Sequence, residues 1–207
     1  MSGIIAQNSG RHTGLVKASS VTSSDAVWNL IKTYTASGDA DLSFVEGTDG
    51  VDFTAYDEFV FKFIDIHPSG NGVDFQFNGS SDGGSNYNVT KTTALFNAYH
   101  DEADSATDLG YRTGEDLAQS TSPQTFQVDY GNDNDQSGCG TLHLFSPSDT
   151  TFVKHFIIRQ NNYHAADYTI DAHIAGYFNT TSAVDAVQFS FNSGTIDAGQ
   201  ISLYGIS

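Results

Sequence analysis

Cysteine is nearly absent from this chain. Cys139 stands alone, so no disulfide can form within the chain, and pairing says nothing of its redox surroundings. Basic residues are scarce too: 8 Lys and Arg stand against 25 Asp and Glu, a formal net charge of −17. A nucleic-acid-binding face needs a basic stripe, and there are too few cations here to build one. The acidity suits solubility in salty water or the capture of divalent cations. Glutamate is rare, at 4 residues against 21 Asp. Glu favours helices whereas Asp favours turns and loops, so the skew predicts an all-β chain. No apolar run approaches the ~20 residues of a membrane-crossing helix. The opening residues lack the basic stretch and apolar core of a secretion signal, which predicts assembly in a cytoplasm.

Catalytic signatures are missing as well. There is no G-x-S-x-G elbow, P-loop, H-E-x-x-H pair or dinucleotide fingerprint. Cys139 has no local motif to make it a nucleophile and reads as a small hydrophobe. A glycosidase needs two carboxylates across a cleft. Among 25 acids some pair always offers itself, so their presence does not discriminate. The expectation is a chain that is not an enzyme, with a glycan hydrolase on a jelly roll as a third reading.

What the chain does hold is aromatic: 15 Phe and 10 Tyr, enough for one large core. Residues 1–24 contain no acid and include Arg11 and Lys17, so they carry +2 while the remainder carries −19. This segment is rich in Gly and Ser, with short apolar clusters at Ile4-Ile5 and Leu15-Val16. It buries too little to offset its own ordering entropy. It reads either as a disordered terminal tail or as an extended docking arm over residues 1–24; the apolar clusters and the charge contrast favour the arm, contacting another protein through Ile4, Ile5, Arg11, Leu15, Val16 and Lys17. Residues 25–207 read as an antiparallel β-sandwich, jelly-roll-like.

Period-2 alternation marks the strands. Residues 27–35, 40–46 and 58–67 read as the first three. Phe59, Phe61 and Phe63 face one way and Val60, Lys62, Ile64 and Ile66 the other, which suits a central strand of two layers. Residues 73–78 follow a Pro-Ser-Gly-Asn-Gly break and read as the second arm of a hairpin. Residues 87–99 read as a strand interrupted by helix formers around Ala94–Ala98, and residues 100–124 as a long loop with a helical turn. Residues 126–130, 140–145, 151–159 and 167–178 add further strands. In residues 183–207, Val187, Phe189 and Phe191, then Ile201 and Leu203, read as core. Gly194 and Gly199 read as turns, so the stretch predicts a closing hairpin. The total is roughly ten strands, at sandwich or jelly-roll spacing.

Three constellations bear on chemistry. Asp133, Asp135 and Ser137, followed by Gly138, match the first half of a calcium loop, but Leu144 stands where a bidentate Glu would close it. The stretch is therefore either a calcium site or an Asn/Asp-rich turn, and the missing Glu favours the turn. His143, His155 and His173 fall on separate strands, and a zinc site would require them to converge. Tyr87, Tyr99, Tyr111, Tyr163 and Tyr177 lie near loops or strand ends beside amides and carboxylates, a composition that suits a glycan-binding surface or a protomer interface equally. The Asn-x-Ser/Thr triplets at Asn78, Asn88 and Asn179 read as chance matches in a Ser/Thr-rich chain.

The opening MSGIIAQNSGRHTGLVKA, the middle FKFIDIHPSGNGVDFQFNGSSDGGSNYN and the ending DAVQFSFNSGTIDAGQISLYGIS together resemble a family of structural proteins of marine tailed bacteriophages. The resemblance spans nearly the whole chain, and its most recognisable part is the ending with Gly194, Gly199 and Tyr204-Gly205. It implies a virion component with a β-sandwich body, displayed on capsid or tail and assembled in the host cytoplasm. The expected partners are other virion proteins and further copies of the chain, a trimer by first guess. A receptor- or glycan-binding module of a phage fibre is the alternative. No cofactor other than calcium is expected.

Overall fold

The computed structural model describes residues 27–207. The arm residues Ile4, Ile5, Arg11, Leu15, Val16 and Lys17 lie outside the described residues.

Among the described residues there are twelve strands and no helix: β1 (Trp28–Thr35), β2 (Asp41–Val45), β3 (Glu58–Pro68), β4 (Val73–Ser80), β5 (Lys91–Asp101), β6 (Thr107–Tyr111), β7 (Gln124–Tyr130), β8 (Gly138–Phe145), β9 (Lys154–His164), β10 (Tyr168–Phe178), β11 (Ala186–Phe191) and β12 (Ile196–Ile206). The expected all-β antiparallel sandwich is what forms. Pairing is nested: β1 with β12, β2 with β11, β3 with β8 and β4 with β7. β12 also pairs with β3, and β11 with β4. The result is two sheets, β1-β12-β3-β8 and β2-β11-β4-β7, wrapped from one doubled chain. That connectivity is a jelly roll.

The remaining four strands are additions to it. The β5–β6 pair lies between β4 and β7 in the chain, and the β9–β10 pair between β8 and β11. They pair in the order β8-β9-β10-β5-β6 and widen the first sheet to eight strands. A single pairing of Tyr130 with His164 ties β7 to β9 and nearly closes the sandwich at that corner.

Alternation explains the packing. Phe59, Phe61 and Phe63 on β3 are buried and Lys62 and Ile64 are exposed, but Val60 and Ile66 of the opposite face are buried as well. Across the sandwich, Phe63 meets Phe189 at 5.1 Å between ring centroids, Phe44 meets Phe61 at 5.2 Å and Phe77 meets Phe156 at 5.1 Å. Phe189 is the hub: it contacts the rings of Phe44, Phe61, Phe63, Phe75, Phe77 and Phe126. Most of these pairs are edge-to-face or tilted, the arrangement that ring quadrupoles favour. β3 and β12 share a bulge, where Asp65 takes φ +53° and Gly199 φ +113°. A Cβ on Gly199 would stand 2.6 Å from the Asp65 carbonyl oxygen, so this position excludes a side chain.

Beneath β5 the core turns polar. Lys91 is fully buried and donates to Asn78 Oδ1 (2.6 Å) and to the Val89 carbonyl (3.3 Å), with the Phe178 ring 5.8 Å away. Thr93 donates to Gln124 Oε1 at 2.6 Å, and the Arg112 guanidinium donates to Asn97 Oδ1 at 2.5 Å. Among the described residues no carboxylate pairs with Lys91, and burial lowers its ammonium to about 7.

Several sequence expectations are corrected. β11 and β12 are not a hairpin. The turn at residues 192–195, with Gly194 at φ +77°, carries the chain from one sheet to the other. β3 and β4 likewise belong to opposite sheets. Alternation reports which face is buried, not which strand lies alongside, and both pairs bury inward faces across the sandwich. β5 is uninterrupted, because pairing with β10 and β6 overrides the helix preference of Ala94 and Ala98. Residues 100–124 contain β6 and no helical turn. β6 escaped detection because nearly all of its residues are exposed, leaving no buried face to set a period.

Candidate functional site

The residues singled out by sequence fall into different places. In the 131–138 loop, Gln136 is buried and organises the turn: its Oε1 accepts the Asp133 N–H (3.0 Å), and its own backbone N–H donates to the Asp133 carbonyl (2.8 Å). Asp133 and Asp135 are exposed. Asp135 and Ser137 share a cleft that Asp133 does not line. Among the described residues no three His, Cys, Asp or Glu side chains are grouped to hold a metal ion. The geometry present is that of a glutamine-pinned turn.

The three strand histidines do share the outer face of the wide sheet, but they do not meet at one point. His143 Nδ1 lies 2.7 Å from Glu58 Oε1, His155 sits against Tyr177 at 5.9 Å, and His173 stacks flat on Phe96 at 5.0 Å. Each has its own partner, so the convergence a zinc site needs is absent. The tyrosines are dispersed as well. Tyr111 donates to Asp116, and Tyr99 packs against Tyr168 below the Arg112 guanidinium. Tyr163 donates to Glu102 Oε1 at 2.7 Å, which pushes its hydroxyl up to about 12. Cys139 is exposed on β8 rather than buried.

What the fold assembles instead is a face. On β5, Lys91, Thr93, Leu95 and Asn97 point inward, leaving Ala94, Phe96 and Ala98 outward. Register then sets the rows. Tyr111, Phe96, His173 and Arg159 lie side by side across β6, β5, β10 and β9. Ala94, Ala175, Ile157 and His143 form the next row, across β5, β10, β9 and β8. Leu109 lies beside Ala98. Leu109 is 71% exposed, Tyr111 53%, Ile157 52% and Phe96 47%. A contiguous exposed apolar patch marks a contact surface more often than chance exposure does.

The electrostatics of this face differ from those of the molecule. On the outward side of β8, β9, β10, β5 and β6 the one acid is Asp171. It accepts two bonds from Arg159, from Nε at 3.2 Å and Nη2 at 3.0 Å, and that pairing holds its carboxyl below the usual range. A chain of net charge −17 thus presents one broad sheet surface that is neutral to slightly basic.

At the end of the same strands, a cleft of about 530 Å³ is lined by His100, Glu102, Asp135, Asn161, Tyr163 and Thr169, among others. Sequence alternation alone could have flagged Ala94-Phe96-Ala98 as apolar on the second face of a strand. The exposed Leu109 and Tyr111 carried no such signal.

Set against known proteins, the chain matches no family model, no curated protein and no solved structure. The class is nonetheless defined by its topology: a jelly-roll sandwich whose first sheet is widened by two inserted hairpins. A fold of this kind hosts many functions, so function has to be argued from the face.

Proposed function

We propose that the chain is a non-enzymatic structural protein of a bacteriophage particle. Its jelly-roll body packs against neighbouring protein through the outer face of the wide sheet, and residues 1–24 anchor it. The observation that carries this reading is the exposed, charge-balanced apolar face on strands that the jelly roll does not itself require. Jelly rolls are recurrent in viral capsids, and the charge contrast between residues 1–24 and the remainder suits an anchor joined to a projecting body. The resemblance of the opening, middle and ending to phage structural proteins points the same way. Assembly in the host cytoplasm accompanies the reading. The test is deletion of residues 1–24. The expected product is a folded body with an unchanged circular dichroism spectrum that no longer joins particles. Normal incorporation of the truncated chain refutes the anchor.

The cleft supports a second reading, recognition of a host-surface glycan, because His100, Asn161, Tyr163 and the carboxylates of Asp101, Glu102 and Asp135 offer donors and acceptors for sugar hydroxyls around an aromatic ring. Retention on a glycan array that is lost with Asn161→Ala supports it. No retention across host polysaccharides removes it.

A further inference from the structure

We infer that the outer face of the wide sheet is covered by a second copy of this chain, in a two-fold, face-to-face pair. The inference rests on reading that face as a protein-docking surface, and it names the occupant. Three observations converge on it.

The first is relief. Phe96 and His173 stack with their planes only 2° apart and form a ridge. Beside it, Ala94 and Ala175 lie opposite one another and form a trough. A ridge next to a trough is self-complementary under a two-fold axis. The ridge of one copy enters the trough of the other, and the reverse contact follows by symmetry. Sheets pack face to face in this manner at about 10 Å.

The second is area. Strands β5, β9 and β10 run eleven residues each, β8 runs eight and β6 five. At ~3.4 Å per residue and ~4.8 Å between strands the footprint is about 750 Å², close to the roughly 800 Å² per partner of a standard stable interface.

The third is charge. Two molecules at −17 each repel wherever acidic surfaces meet. On this face the one acid, Asp171, is already bound by Arg159, so two copies can approach here without like charges in contact. A basic partner would be drawn to the acidic remainder of the surface; a partner that is itself acidic fits this face. The chain's own copy satisfies both the shape and the charge condition.

The experiment uses the full chain in sedimentation equilibrium at ~0.15 M salt, where surface charge is partly screened. The expected mass is twice the protomer's 22.2 kDa. Ala175→Arg, an exposed position in the trough, is expected to raise the dimer Kd by about 100-fold or more while leaving the circular dichroism spectrum of the folded protomer unchanged. Asn134→Arg, on an exposed loop away from the face, is expected to leave the dimer intact. A monomer at 100 µM, or an oligomer indifferent to Ala175→Arg, overturns the inference. So does a dimer that appears only after residues 1–24 are deleted, which would make that segment the occupant. Particle incorporation of Ala175→Arg separates the two levels. A monomeric parent whose variant fails to incorporate refutes the second copy but keeps the docking face. A variant that neither dissociates nor loses incorporation refutes both.

Discussion

Lys91→Met probes the polar layer beneath β5. The Lys91 ammonium is lowered to about 7 from an ordinary 10.5 because it is buried without a carboxylate. That difference corresponds to about 5 kcal/mol between charged and neutral forms. Its sign follows from linkage. The unfolded chain keeps the proton up to about pH 10.5, whereas the folded chain gives it up near pH 7. Unfolding between these values therefore takes up a proton, and stability rises with pH across that window by up to about 1.4 kcal/mol per pH unit. Below pH 7 both states are charged and the slope from this group vanishes. Methionine matches the length of lysine and has no charge to desolvate. Asn78 Oδ1 keeps the Gly79 N–H as a donor, so the variant orphans only the Val89 carbonyl contact, at about 1 kcal/mol. Lys91→Met should therefore be more stable than the parent by about 2–4 kcal/mol at pH 7, with the advantage gone by pH 10. Urea unfolding at pH 7, 8, 9 and 10, followed by circular dichroism, measures the difference. A difference that stays constant across those four pH values refutes the account of a buried lysine that folds uncharged.

Phe189→Ala removes the ring at the centre of six aromatic contacts and should cost about 3–5 kcal/mol in chemical denaturation, with Phe189→Leu costing less; equal, small losses would mean that the core is not organised around this ring. Gly199→Ala forces a Cβ against the Asp65 carbonyl at a positive φ. The melting temperature should fall by several degrees, more than for Ala substitution at the unhindered Gly114, and a neutral result would remove the bulge as a constraint. A chelator should leave the melting temperature unchanged, since Gln136 rather than a ligand set organises the 131–138 turn; a fall that added calcium reverses would restore the cation reading of Asp133, Asp135 and Ser137.

Strands with one buried face were legible because burial imposes a period: Phe59-Phe61-Phe63 and Val187-Phe189-Phe191 announce themselves. Their neighbours were not legible. The same alternation is written whether β11 lies beside β12 or across the core from it, so two expected hairpins became crossovers. β6 is exposed almost throughout and leaves no period to read. The face on β5, β6, β9 and β10 was hidden for a related reason. Its two hairpins lie far apart in sequence, and only the register of Phe96 with His173 and of Ala94 with Ala175 brings them together. Lys91 gave no sign of burial, because a lysine in a strand is normally solvated.

The nested pairing has a consequence for how the molecule is made. β12 lies between β1 and β3, and β11 between β2 and β4. The strands on which β1 and β2 depend for pairing are thus the last two of the twelve to be synthesised. Until they arrive, β1 and β2 have no neighbour to pair with, and β3 and β4 each present an open edge. A chain stalled before residue 186 holds aromatic strands with bare edges, the form of β-structure most prone to join another chain. Folding of the body is therefore a late, concerted event with long sequence separations to close, slow in the manner of sandwiches. On successive ribosomes of one message, the neighbouring nascent copy presents the same bare edges at close range.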